Sequence, residues 1–415
     1  MPVEAPPRSL EHPLPEGMRD LLPEEAAARR GLSRSLLDSF ALHGYAVVTP
    51  PVFEFAEVLE RGLGTFDPSD ILRFVEPESG EVAALRPDMT PQIARMIATR
   101  LRGRPLPFRL GYEGTVLRRR SGRARKHRQI PQVGVELAGV PGPDGDLELL
   151  ALASDGLVAA GLGRFQIDVG DAGIIRALLA SLPPEAQTAI SEALARKDPT
   201  EVEDVCAHAR APYADALVAL TALHGGRDAL VEGAARLAGT PASASAARLL
   251  AFFDAARARG LGGQLTADVG EVRGFAYYTG PIFHAYAAGT GNALGSGGRY
   301  DELLANFGWD LPAAGFAFDL DRLREALQAA GATPSAPLRV VVVGAADGSR
   351  VRELRARGVA AVATSDRSSG LAWARAWGFS HVADAGDWVD AATGASVSCP
   401  LRDPPEAERG ERGDR

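Results

Sequence analysis

Cysteine is nearly missing from this chain of 415 residues: only Cys206 and Cys399 occur, far apart and without metal-ligand spacing. That argues against a disulfide framework or a structural zinc site and suits a reducing, cytoplasmic setting. No run of about 18 apolar residues occurs, so no membrane span is expected. Residues 1–16 are rich in Pro and Glu and lack the apolar core of a signal peptide. Basic charge is not in surplus either. A net charge of −8 sets up no global field toward nucleic acid or an anionic membrane, which makes tRNA an unexpected partner. The apolar run at 338–344 is not followed by a G-x-G-x-x-G loop, so no nucleotide cofactor is expected.

What the chain does hold is ordinary for a folded protein: 46% hydrophobic and 24% charged residues. The length allows two or three domains at about 150 residues each. After a Pro-rich arm, residues 24–42 read as a helix, with Leu32, Leu36 and Phe40 recurring on one face. Strand character follows at 108–111, 132–137, 165–169, 265–269 and 277–286, with helical patterns at 90–101 and 147–160. Widely spaced strands with segregated helices predict an α+β domain around a mainly antiparallel sheet. Residues 172–260 are Ala- and Leu-rich and broken by Pro183, Pro184 and Pro199, which predicts a helical insertion. A Pro/Ala stretch at 331–337 marks a boundary. Beyond it, a β-α-β-α-β pattern predicts a small α/β domain over 337–400, and the charged tail 403–415 reads as disordered. The larger domain is placed at 12–330.

Several clusters could carry chemistry. Asp88 and Thr90 precede a helical pattern, where a carboxylate and a hydroxyl could hold an ammonium group or merely cap the helix. Seven of the eleven residues from Arg118 to Arg128 are Arg or Lys, which suits a phosphate grip or a solvated loop equally. Alternation places Gln132, Gly134 and Glu136 on one strand face, polar side chains that point to a pocket. Around Arg273, Tyr277 and Tyr278, strand alternation predicts that the two tyrosines face opposite sides, so only one enters a given pocket. Glycines at 295, 297 and 298 allow close backbone approach. Arg322, at a strand-to-helix junction, is free for an anion or a surface ion pair.

In this order, these segments resemble the class II catalytic core of the histidyl-tRNA synthetase family over roughly residues 12–328. Residues 14–20 with Gly44, Tyr45, Pro50 and Pro51 look like motif 1, residues 118–136 like motif 2, and residues 315–322 like motif 3. Residues 273–280 and 296–301 look like the histidine-specific segments. The details resemble the family's regulatory branch. Arg120 stands where a synthetase carries an adenine-side Glu, Phe275-Ala276 departs from the enzyme pattern, and the C-terminal unit is short for an anticodon-binding domain. The resemblance implies a non-catalytic regulatory subunit for a short-form ATP phosphoribosyltransferase. That partner transfers phosphoribosyl to ATP in the first step of histidine biosynthesis. A homodimer is implied through motif 1, with the Leu32, Leu36, Phe40 face and Pro50-Pro51 contributing. Asp88 and Thr90 would hold the amino group of L-histidine, Gln132 and Glu136 the amino and imidazole side, and Arg118 and Arg273 the carboxylate. Tyr277 or Tyr278 would line the ring slot. Arg118, Arg273 and Arg322 also match synthetase positions, so a functional histidyl-tRNA synthetase is the alternative.

Overall fold

The computed structural model describes residues 14–63, 71–119, 127–272, 277–332, 338–344 and 348–401. By contact the chain divides into two compact units, residues 1–20 with 29–333 and residues 21–28 with 334–415. The tail expected to be disordered lies outside the described residues.

The first unit is an α+β structure around a nine-stranded sheet. Its spatial order is Ala46–Val47, Phe108–Leu117, Gln129–Ala138, Ala313–Asp319, Gly295–Arg299, Pro281–Tyr286, Gln166–Asp171, Leu265–Asp268 and His224–Gly225. Neighbours run antiparallel except Ala46–Val47 on Phe108–Leu117 and Leu265–Asp268 on Gln166–Asp171. One sheet face is apolar because alternate residues fall there: Val133, Val135 and Leu137 beside Phe316 and Phe318. Two helices cover it, residues 29–42 of the helix Pro23–Leu42 and Asp144–Ala159, with Phe40 edge-on to Phe316 at 5.6 Å. Leu32, Leu36 and Phe40 are thus buried in the core of their own chain, at 4%, 0% and 1% exposure. They cannot contribute to a dimer face, which corrects that part of the sequence expectation; the same i, i+4 periodicity serves a core equally well.

A separate three-stranded sheet, ordered Phe53–Phe55, Val82–Leu85, Arg73–Val75, packs on the helix Ala56–Leu63. Its strands were not anticipated, being only three or four residues long. Val52, Phe53, Phe55, Phe74, Val75 and Val82 are exposed in and beside it. Residues 172–260 form six helices among the described residues, two of them starting at Pro184 and Pro199. They are not wholly helical, since His224–Gly225 adds an edge strand beside Leu265–Asp268.

In the second unit, strands Arg339–Val343, Ala360–Thr364 and His381–Asp384 pair in parallel, with helices Ser349–Ala356 and Arg367–Ala376 between them. The run Val340–Val342 is apolar throughout because both faces of the central strand are covered. Two antiparallel strands, Asp387–Asp390 and Ser396–Val397, extend this sheet beyond the expected pattern.

Candidate ligand pocket

The other face of the large sheet carries the site. Register places Tyr112, Gly134, Ala317 and Ser296 in one row across four strands, and Leu110, Glu136, Gly315 and Gly298 in the next. Small residues in the middle strands leave an open cavity of about 580 Å³ including its mouth. Gly315 is essential to it: a Cβ there would collide with the Glu136 carboxylate and sit 2.6 Å from the Tyr300 hydroxyl.

Asp88, Thr90, Arg118, Gln132, Tyr277 and Tyr278 all line this one cavity, together with Tyr112, Tyr300, Ser296 and Arg322. Asp88 lies just before the helix Thr90–Arg100, with Oδ1 accepting the Met89 N–H at 2.8 Å and Oδ2 the Tyr277 hydroxyl at 2.8 Å. The helix N-cap is Met89 and has no side-chain cap bond, so the Asp88 oxygens serve the Met89 N–H and the Tyr277 hydroxyl and cap nothing. Thr90 is no cap; its hydroxyl donates to Glu136 Oε1 at 2.7 Å. Glu136 sits behind Thr90, only 3% exposed. Arg118 donates from Nε to the Pro87 carbonyl at 2.7 Å, which turns it toward Asp88.

Tyr277 and Tyr278 do not alternate across a sheet, contrary to the expectation. They lie in the turn before Pro281–Tyr286, their rings 5.1 Å apart, and both face the cavity with Tyr300. The glycine of Thr-Gly280 and the turn before it shorten the strand, which a period-two reading overlooks. Arg273 and Arg120 lie outside the described residues. Arg322 reaches the cavity mouth, where its Nη1 donates to the Ala293 carbonyl at 2.9 Å and its Nε lies 3.4 Å from Asp319. Tyr112 and Tyr300 were given no role from sequence, although both stand inside the segments quoted. The polar face of the 132–136 strand was the signal that could have drawn in Tyr112, its neighbour in register.

The electrostatics are those of a box made to receive a cation. Burial pushes the Glu136 carboxyl well above its usual range, against the Thr90 and Tyr112 hydroxyls, with Asp88 adding to the rise. Burial likewise raises Asp88, opposed by Arg118. Burial, then the neighbouring carboxylates, keeps the phenols of Tyr277 and Tyr278 neutral. Glu136 Oε2, Gln132 Oε1 and the Tyr300 hydroxyl are buried with no partner among the described residues. Such atoms cost stability unless a ligand satisfies them. The arrangement can take up an ammonium or imidazole N–H at its inner end and a carboxylate near Arg118.

One other acidic cluster exists among the described residues, Asp168, Asp268 and Glu271, with ligand atoms within 4.8 Å of one another. The Lys197 ammonium, 2.7 Å from Asp268, already supplies its cation.

The histidyl-tRNA synthetase family model matches residues 17–323. An ATP phosphoribosyltransferase regulatory subunit from Moorella thermoacetica is 43% identical over 365 residues, covering 86% of this chain and 93% of that protein. One from Anaeromyxobacter dehalogenans is 42% identical, covering 76% and 91%. Among solved structures, an ATP phosphoribosyltransferase regulatory subunit/histidyl-tRNA synthetase from Bacillus halodurans superposes with a TM-score of 0.77 at 26% identity, over 91% of this chain and 99% of that one. A histidyl-tRNA synthetase from a Nostoc species shares the fold, with a TM-score of 0.75 at 21% identity over 92% and 96%.

Proposed function

Because the chain belongs to the ATP phosphoribosyltransferase regulatory subunit family, built on the histidyl-tRNA synthetase fold, we propose that it is the non-catalytic partner of a short-form ATP phosphoribosyltransferase and carries the histidine feedback signal. The observation that carries the pocket's part is Asp88 lining the cavity with three tyrosines and the buried Glu136 behind Thr90, with Glu136 Oε2 and Gln132 Oε1 without a partner among the described residues. Asp88 and Thr90 hold the histidine amino group, Glu136 and Gln132 take the imidazole side, and Tyr277 and Tyr278 together form the ring slot. Arg118 takes the carboxylate, with Arg273 assigned from the sequence resemblance alone. An N–H against a buried carboxylate is a charge-assisted contact, short and strong. Feedback then requires that histidine bind the inhibited assembly more tightly than the active one, a coupling of typically about 1–3 kcal/mol.

Loss of synthesis is attributed to Arg120 and Phe275-Ala276, where the sequence departs from the synthetase pattern. No helix among the described residues is long and apolar enough to cross a membrane. The chain works in the cytoplasm as a homodimer, through the exposed apolar surface of Val52, Phe53, Phe55, Phe74, Val75 and Val82. Patches of this kind mark protein interfaces. Mixing the purified chain with a short-form transferase tests the reading: activity should appear or rise on mixing and fall on adding histidine. A transferase indifferent to the chain would overturn it.

A further inference from the structure

Residues 14–20 cross the connected end of the strand pair Phe108–Leu117 and Gln129–Ala138, beside Leu117 and Gln129, and three contacts pin them there. The Gly17 carbonyl accepts the Arg128 N–H at 2.8 Å. The Arg19 N–H donates to Gln129 Oε1 at 3.0 Å. The Arg19 guanidinium meets Asp321 Oδ2 at 2.8 Å, both side chains about four-fifths buried at 22% and 20% exposure. Each anchor adjoins the pocket rim. Arg128 accepts the backbone N–H of Arg118 at 3.1 Å, Gln129 precedes the lining residue Ile130, and Asp321 precedes the lining residue Arg322.

We propose that Arg19 is a positioning residue of the pocket: the segment 14–20 acts as a strap that ties the strand end bearing Arg118 to the helix start bearing Arg322. The proposal rests on reading the pocket as a histidine site. Two features favour placement of the rim over plain stability. Gly17 has φ +79°, and a Cβ there would lie 2.8 Å from Arg128 Cγ, so the crossing depends on close backbone approach. In the same crossing Arg128 Nε is buried with no partner among the described residues, a stability cost that a purely structural clamp has no reason to carry. Without the Arg19 anchor the segment loses its side-chain tie to Asp321, and the strand end bearing Arg118 and the helix start bearing Arg322 lose this direct link, while Arg118 keeps its own bonds to Pro87 and Arg128. Tight sites depend on such supporting contacts.

The test compares wild type, Arg19→Ala and the charge swap Arg19→Asp with Asp321→Arg. Histidine affinity is read by calorimetry, thermal midpoints by calorimetric scanning, and backbone hydrogen exchange over 127–138 in ligand-free chain. Arg19→Ala should weaken histidine about tenfold, the low end of losses from supporting partners at tight sites, and speed exchange over 127–132. The swap should recover both. Unchanged affinity and exchange in Arg19→Ala overturn the strap, as does a weakening that follows a fallen midpoint and is not recovered by the swap. If wild type binds no histidine, the histidine reading fails by itself, and the exchange comparison alone decides whether the strap holds the rim.

Discussion

Replacing Glu136 by Gln tests the electrostatic logic of the pocket without changing its shape. Glu136 is 3% exposed and its carboxyl is pushed well above the usual range by burial, with Oε1 on Thr90 and Oε2 without a partner among the described residues. A bound cationic or N–H donor group stabilises the carboxylate and lowers its pKa, so binding should expel a proton. Histidine affinity should therefore rise with pH and level off near the raised value of the free site. Truncating one side of a buried charged contact costs about 2–5 kcal/mol. That is a loss of roughly 30- to 3,000-fold at ~1.4 kcal/mol per decade. Calorimetry at about pH 7–8, where the free imidazole (ordinary pKa ~6.5) is mostly neutral, in two buffers of different ionisation enthalpy, counts the proton. Wild type should show a buffer-dependent heat corresponding to release, and Glu136→Gln should show weak binding with no buffer dependence. A wild-type heat independent of buffer, or a Glu136→Gln chain that binds as tightly as wild type, would refute the reasoning.

Gly315→Ala should abolish histidine binding, because the new methyl falls on Glu136 and Tyr300; overpacking of this kind also costs about 1–3 kcal/mol, read as a lowered denaturation midpoint. Asp146, beside the buried Arg299 at 2.6 Å, is raised by burial from 3.8 to about 6. The stabilisation from its protonated form is fully present below the unfolded value and lost as pH rises through about 6, a change of roughly 3 kcal/mol. Asp146→Asn should flatten that part of the stability–pH curve, and a variant curve parallel to wild type from pH 3.5 to 7 would count against it. Phe53→Asp should shift the chain toward monomer in light scattering, whereas an unchanged mass would remove the exposed sheet from the dimer surface.

The antiparallel core was legible because its long strands alternate cleanly. Val133, Val135 and Leu137 face one way and Gln132 and Glu136 the other, a pattern that one buried face imposes. The α+β class and the resemblance to the synthetase core followed from such segments taken in order. Legibility failed where the same signal serves two ends. The Leu32, Leu36, Phe40 stripe is what either a core or an interface would carry, and only burial separates them. Tyr277 and Tyr278 were misassigned because alternation was extended through a turn, whose path is set by Thr279 donating to the Arg299 carbonyl at 2.7 Å. Contacts of that kind, across 20 residues, leave no local mark. The strands of the three-stranded sheet are too short for a period to show. Gln132 and Glu136 were legible as polar positions on an alternating strand, whereas Tyr112 and Tyr300 were given no role from sequence, because only the register and the fold bring them to the pocket.

The central claim is that a synthetase fold here serves regulation and not aminoacyl transfer. One preparation should be divided between two assays, histidine-dependent ATP–pyrophosphate exchange by the chain alone and activation of an added short-form ATP phosphoribosyltransferase. The predicted result is no exchange above background from a chain that activates the transferase and confers histidine inhibition on it. Robust exchange by the chain alone, with the transferase unaffected, would contradict the claim and establish a functional synthetase instead.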